Sequence, residues 1–162
     1  MTMRTLAVAM TLSALAALTA CGSDDDGGSS NRGSGTETDP ISVENVFVVP
    51  AAVPGNCTVQ IGGTAALRYV VSNSSSTTPD RLVSISTAQA ERVETAPALP
   101  VDIPVNTTTG SGQPARGADA LTTRLVGLRD AAAPGVSFDV RFTFATAGEI
   151  TVRVPVEACP VR

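Results

Sequence analysis

The clearest pattern in this chain is a strict alternation near its C-terminus. Val136, Phe138, Val140, Phe142 and Phe144 alternate with Ser137, Asp139, Arg141, Thr143 and Ala145. Ile150, Val152, Val154 and Val156 then alternate with Thr151, Arg153, Pro155 and Glu157. A period of two with one apolar face predicts half-buried antiparallel strands. Thr146-Ala147-Gly148 between them reads as a hairpin loop. Pro155 has no N–H to donate, so it belongs at a sheet edge or a bulge. Further upstream, Ser42–Val49 is a Val-rich run that stops at Pro50, and Pro54-Gly55 marks a turn across Ala51–Asn56. Cys57–Ile61 and Thr64–Asn73 are strand candidates split by Gly62-Gly63, and Arg81–Thr87 is another. One segment is ambiguous on pattern alone. Ala118, Leu121, Leu125 and Leu128 fit helical spacing, whereas Leu121, Thr123 and Leu125 fit a strand. Many short strands separated by Gly/Pro turns, with no other long helical pattern, predict an all-β protein built as an antiparallel β-sandwich.

The N-terminus obeys a different rule. Arg4 precedes an apolar run from Leu6 to Leu18 that ends in Leu18-Thr19-Ala20-Cys21. The run is too short for a membrane-crossing helix, which needs about 20 residues. A charged start, a short apolar stretch and small residues before a cysteine define a lipoprotein signal peptide over residues 1–20. Cys21 would then carry the lipid (diacylglycerol, palmitate) as the first residue of the mature protein. The competing reading is an ordinary secretory signal with Cys21 incidental. Gly22–Asp39 contains no aliphatic or aromatic residue. Such a stretch cannot bury enough surface to fold, so residues 21–40 read as a lipidated Cys and a linker reaching roughly 20–25 Å. Asp24-Asp25-Asp26 within it could bind calcium weakly, but a solvated spacer accounts for it. The folded domain is assigned to residues 41–162.

Composition removes several function classes. The chain has eleven cationic residues, all Arg, against fifteen acidic ones, and no His. Nucleic-acid binding needs clustered cations, and none are clustered here. Without His the commonest acid–base catalyst is missing, and without Lys neither a Ser–Lys dyad nor a Schiff base can form. No nucleophile elbow or phosphate-cradling loop occurs in the mature chain. Glu91 and Glu94 could serve as a carboxylate pair, yet no aromatic platform accompanies them, and a solvated acidic face explains both. Three Asn-x-Ser/Thr patterns, at Asn56, Asn73 and Asn106, are the chance yield of a Ser/Thr-rich chain. With Cys21 committed to lipid, Cys57 and Cys159 remain, and an even pair in an exported protein reads as a disulfide. Two free buried thiols are the alternative. No catalytic residue, metal ligand or cofactor is assigned.

Three segments, taken in order, resemble the PCuAC family of periplasmic copper chaperones. Asp80-Arg81-Leu82-Val83-Ser84-Ile85-Ser86 with Arg92-Val93-Glu94 resembles that family's "aDrLvgvsS…kVelH" stretch, and Ser72-Asn73 matches its strand-terminal asparagine. Leu125-Val126-Gly127-Leu128-Arg129 resembles its "HxMLMGLK" segment. Pro134-Gly135 through Ala145-Thr146-Ala147-Gly148-Glu149 to Val156 resembles its "eGdtvpltLtFekaGevtvevpV" ending. The resemblance spans about Val43 to Val156. Together with the lipobox it is similar to exported lipoproteins of high-GC Gram-positive bacteria that carry a divergent version of this domain.

The resemblance implies a cupredoxin-like or immunoglobulin-like sandwich and turns the ambiguous segment, Ala120–Leu128, into a strand. It also implies a Cu(I) site of a His, a Met and a His-x-Met pair. By position the first His falls on Ala96 and the pair on Thr122 and Arg124, and the loop that holds the lone Met is shortened and lacks one. The only methionines, Met1, Met3 and Met10, lie in the signal peptide. Cu(I) selects thiolate, thioether or imidazole donors, so the family's metal site is absent.

The function expected from these readings is that of a lipoprotein held by its lipid at the extracytoplasmic face of the cell membrane. Its PCuAC-like domain would be a non-catalytic binding or scaffolding module. The partner would be the membrane itself and another envelope protein or lipid, and the protein is expected to be a monomer. The alternative is a copper chaperone or copper-homeostasis protein using a non-standard site. An apolar surface patch over Ala96 and Leu121–Val126 would favour binding, whereas a deep pocket with paired carboxylates would favour catalysis.

Overall fold

The alternating segments fold as strands in the computed structural model, which describes residues 40–49, 61–113, 121–129 and 132–157. In chain order the strands are β1 (Ile41–Val49), β2 (Thr64–Asn73), β3 (Asp80–Ser86), β4 (Ala90–Ala96), β5 (Val101–Ile103), β6 (Thr107–Ser111), β7 (Thr122–Leu128), β8 (Ser137–Phe144) and β9 (Glu149–Pro155). They form two antiparallel sheets that pack as a sandwich. The first has the order β1-β2-β7-β4, with β6 also paired to β2, and the second has the order β5-β3-β8-β9.

Each strand buries the residues that the period of two assigns inward. On β2, Ala65, Leu67, Tyr69 and Val71 are buried, while Ala66, Arg68, Val70 and Ser72 are only partly covered. On β8 and β9 the inward set is Phe138, Val140, Phe142, Phe144, Ile150, Val152 and Val154. Aromatics are few, so branched aliphatics fill the core. Tyr69 from one sheet meets Phe142 from the other edge-on, with ring centroids 5.1 Å apart and an interplanar angle of 70°, a favoured aromatic geometry.

β2 organises the first sheet. β1 pairs along one side of it from Ile41↔Asn73 to Val49↔Ala66. On the other side two strands share its length. β7 takes Thr64–Ala66, and β6 takes Tyr69–Asn73. β1 is interrupted between Glu44 and Phe47, where Asn45 adopts a φ of +51°. The bulge places Val46, Phe47 and Val48 in consecutive buried positions. The sheets are tied at one corner, where Val48 bridges Val156 in parallel and the Glu157 N–H donates to the Val48 carbonyl at 2.9 Å.

Most of the sequence expectations coincide with the strands. β2 has the expected bounds, β1 and β3 shift by a residue, β8 lies within its alternating run, and β9 starts one residue before its own. The ambiguous segment is strand β7. Pro155 is the last residue of β9, an edge strand, where its missing N–H interrupts no ladder. The hairpin loop falls at Ala145–Gly148, closed by the Phe144 N–H donating to the Gly148 carbonyl at 2.7 Å, with Gly148 at a φ of +79°. The strand expected over Cys57–Ile61 is a turn at Ile61, and its other residues lie outside the described ones. β4, β5 and β6 go beyond what the hydrophobic pattern predicts.

Candidate functional site

The expected metal positions lie on β4 and β7, which pair antiparallel with Ala96 opposite Thr122 and Glu94 opposite Arg124. Leu121, Thr123 and Leu125 point into the core, and their neighbours Thr122 and Arg124 therefore face solvent. On β4, Arg92, Glu94 and Ala96 share that outer face. The fold thus brings Ala96, Thr122 and Arg124 together on one exposed patch where β4 ends and β7 begins. The donor set there is a methyl group, a hydroxyl and a guanidinium. The Thr122 hydroxyl donates to the Ala96 carbonyl at 3.4 Å. Arg124 has no ion-pair partner among the described residues, whereas its cross-strand neighbour Glu94 pairs with Arg92 at 2.8 Å. Among the described residues, no three Cys, Asp or Glu side chains converge where they could hold a metal ion.

No apolar surface forms here. Leu121 and Leu125 are buried, and among the outward residues of β7 the half-buried Val126 is apolar while Thr122 and Arg124 are polar or charged. Near the far end of β7, Gly127 adopts a φ of +68°, and a Cβ at that position would lie 2.5 Å from side-chain carbons of Glu91. Only glycine accepts both constraints. The altered backbone also buries two consecutive residues, Gly127 and Leu128. Glu91 and Glu94, considered above as a carboxylate pair, are occupied differently: Glu91 lies over Gly127 and Glu94 pairs with Arg92.

A hydrogen-bonded chain runs behind the patch. The Tyr69 hydroxyl and Thr123 Oγ1 are 3.0 Å apart. The Thr123 N–H donates to Ser111 Oγ at 2.9 Å, and the Ser111 hydroxyl donates to the Leu67 carbonyl at 2.7 Å. These groups link β2, β6 and β7 where the hydrophobic pattern is weakest. Burial pushes the Tyr69 phenol up to about 12, against a smaller opposing effect of the Thr123 hydrogen bond.

Where β3 begins and β8 ends is a shallow depression of about 440 Å³ lined by Pro79, Asp80, Arg81, Asp102, Pro104, Ala145 and Thr146. Its carboxylates are already engaged. Asp80 is buried and accepts from the backbone N–H groups of Arg81, Thr146 and Ala147 at 2.7–2.9 Å. It therefore pins the β8–β9 hairpin to the start of β3. Asp102 pairs with Arg81 at 2.8 Å in solvent. Nearby Asn73, also buried, donates to the carbonyls of Thr78 and Ile103 and accepts from the Ser75 N–H. The motif residues Asn73 and Asp80 thus hold loops in place. The sequence patterns alone do not reveal the roles of Ser111 and Thr123, because short Thr/Ser stretches carry no apolar signal. Cys21, Cys57 and Cys159, the expected lipidation and disulfide residues, lie outside the described residues.

These features define an antiparallel β-sandwich like that of PCuAC domains. The comparisons agree with the fold. The chain is similar to the copper-bound PCuAC domain from PmoF2, with a TM-score of 0.57 and 22% identity over 77% of this chain and 98% of that one. It is also similar to the apo PCuAC domain from PmoF1, with a TM-score of 0.59 and 17% identity over 77% and 99%. No curated protein matches the chain. A family model described as "Putative lipoprotein LpqE-like" matches residues 41–156, and the chain belongs to that LpqE-like lipoprotein family. Membership places it among lipid-anchored proteins of the envelope, as its N-terminus leads one to expect.

Proposed function

We propose that this lipoprotein is a non-catalytic binding or scaffolding module, tethered through Cys21 to the extracytoplasmic face of the membrane and lacking a Cu(I) site. The observation that carries the reading is the meeting of Ala96, Thr122 and Arg124 on one exposed patch. The positional transfer from the copper-binding family is therefore spatially coherent, and the donors are nonetheless unsuitable. Alanine offers no lone pair, a neutral hydroxyl is a hard and weak ligand, and a guanidinium repels a cation at every accessible pH. Against catalysis stand the lack of His and Lys and the engagement of Asp80 and Asp102 by partners in the depression. Its partner would be another envelope protein or an envelope lipid.

A Cu(I) competition experiment on the oxidised protein tests this. The unmodified protein should fail to take Cu(I) from a chelator of moderate affinity. Ala96→His, Thr122→His and Arg124→Met together should create measurable binding. The second reading, copper delivery through a non-standard site, draws on the fold shared with a copper-bound domain. A stoichiometric, chelator-resistant Cu(I) complex of the unmodified protein would establish it in place of the first.

The anchor rests on the lipobox and on membership of a lipoprotein family. One diacylglycerol inserts two acyl chains, each contributing about 0.8 kcal/mol per buried CH₂, which suffices for stable attachment. Cys21→Ala should abolish metabolic labelling with a fatty acid. Undiminished labelling of that variant would refute the assignment.

A further inference from the structure

β4 is an edge strand. Among the described residues it pairs with β7 on one side and with no strand on the other. The sandwich treats its other edges differently. β5 has three residues and lies between Pro100 and Pro104. β9 ends at Pro155, and the adjoining Val156 bridges to Val48 of β1. β4 extends over seven residues without a proline or a register shift.

The hydrogen-bonding phase of this edge can be read from its ladder. The Arg129 N–H donates to the Gln89 carbonyl at 3.0 Å, which puts odd-numbered positions of β4 in bonding contact with β7. Leu128, one residue earlier, bonds on its opposite side to Gly62 and Gly63. Antiparallel strands alternate bonding direction residue by residue. The backbone N–H and C=O groups of Ala90, Arg92 and Glu94 therefore point to the open edge, whereas the Ala96 carbonyl at the strand's end is turned to the Thr122 hydroxyl of β7.

We propose that this edge pairs antiparallel with the same edge of a second copy of the chain, about a two-fold axis through Val93. In that register Arg92 lies opposite Glu94 of the partner subunit, and Glu94 lies opposite Arg92 of the partner subunit. Ala90 lies opposite Ala96 of the partner subunit. Arg92 and Glu94 are edge-directed, so each of the two Arg–Glu pairs can exchange both of its backbone hydrogen bonds. Arg92 and Glu94 occupy the same outer face, about half exposed and paired with each other along the strand in the single chain, and on pairing each exchanges that partner for the opposite charge across the interface. Arg124, opposite Glu94 on β7, extends the row, so that Arg124, Glu94 and Arg92 of the partner subunit alternate in sign across the joined sheets.

The charges also select the register. Sliding the pair by two residues in one direction places Arg92 against Arg92 of the partner subunit. Sliding it in the other direction places Glu94 against Glu94 of the partner subunit. Like charges directly opposed are destabilising, and a slide of one residue loses the bonding phase. Charged side chains normally protect an edge from indiscriminate pairing. Here their order excludes other partners while complementing the strand's own sequence, as an isologous two-fold interface requires. This pairing replaces the single-copy state expected from the sequence and is independent of any copper role.

Native mass spectrometry of the full-length, detergent-solubilised lipoprotein tests the proposal. The unmodified protein should give a dimer whose share grows with concentration. Arg92→Glu alone and Glu94→Arg alone should each lose the dimer, because each opposes like charges at both pairs. An equal mixture of the two single variants should form the heterodimer, and one chain carrying both substitutions should regain the homodimer. These rescues separate the interface from any effect on folding. An unmodified protein that stays monomeric at every concentration, a dimer that survives in both single variants, or a mixture without heterodimer would each overturn the proposal.

Discussion

Tyr69 is the chain's one tyrosine, and there is no Trp, so its ionisation can be followed without interference. Its hydroxyl is buried among β2, β6 and β7 and meets the Thr123 hydroxyl. Burial disfavours the phenolate, which raises the group from its ordinary value near 10 to about 12. The unfolded chain releases this proton at the ordinary value, and the folded chain retains it. The resulting stabilisation is fully present below about pH 10, declines between about 10 and about 12, and is lost above the folded value. A difference of this size corresponds to about 2–3 kcal/mol. Ultraviolet titration should place tyrosinate formation in the folded protein near pH 12, and denaturant midpoints should fall as pH rises from 10. A native titration midpoint near 10 would contradict the buried geometry. Asp80 shows a different use of a buried polar group: three backbone N–H donors satisfy its carboxylate, so it fastens a hairpin rather than performing chemistry.

At the scale of elements, legibility in the sequence followed the apolar alternation. β2, β8 and β9 each bury a row of large apolar side chains on one face and leave the other face partly or fully exposed, and the period of two is plain in their sequences. β6 has the opposite character. Its inward residues are Thr109, Gly110 and Ser111, and it is held by the β2 ladder and by the Ser111 hydroxyl. No hydropathy pattern identifies a strand whose buried side chains are hydroxyls. β4 buries Ala90 and only partly covers Val93 and Thr95, because it lies at the edge of the sheet; a strand with one neighbour needs little apolar surface. β7 was ambiguous because Gly127 breaks its alternation and buries Leu128 beside it, leaving leucines at both strand and helical spacings. The resemblance to PCuAC resolved that ambiguity, and the three positions it singles out, Ala96, Thr122 and Arg124, share one patch of β4 and β7. The edge of β4 could not be read in advance, since which strand lacks a neighbour is a property of sheet order.

The sandwich is closed at one corner. The end of β1 meets the residues after β9 through the Val48–Val156 bridge and the Glu157 N–H bond to Val48. In sequence Cys57 follows the end of β1 and Cys159 follows Glu157, and an exported protein matures where thiols oxidise. We predict that the two cysteines are bonded to each other. The closed loop would contain about 100 residues, for which the chain-entropy model gives an upper figure of roughly 4–5 kcal/mol. Alkylation of the denatured, unreduced protein followed by mass spectrometry should find no free thiol at either position, and two alkylated cysteines would exclude the bond. Replacing both with alanine should lower the unfolding free energy by about 2–5 kcal/mol, a large share of the 5–15 kcal/mol that holds a typical domain folded. The sandwich has few aromatics and an exposed edge strand. A covalent tie between the segments that extend its first and last strands would act on the whole chain, because opening either sheet would have to pull against the corner that joins them.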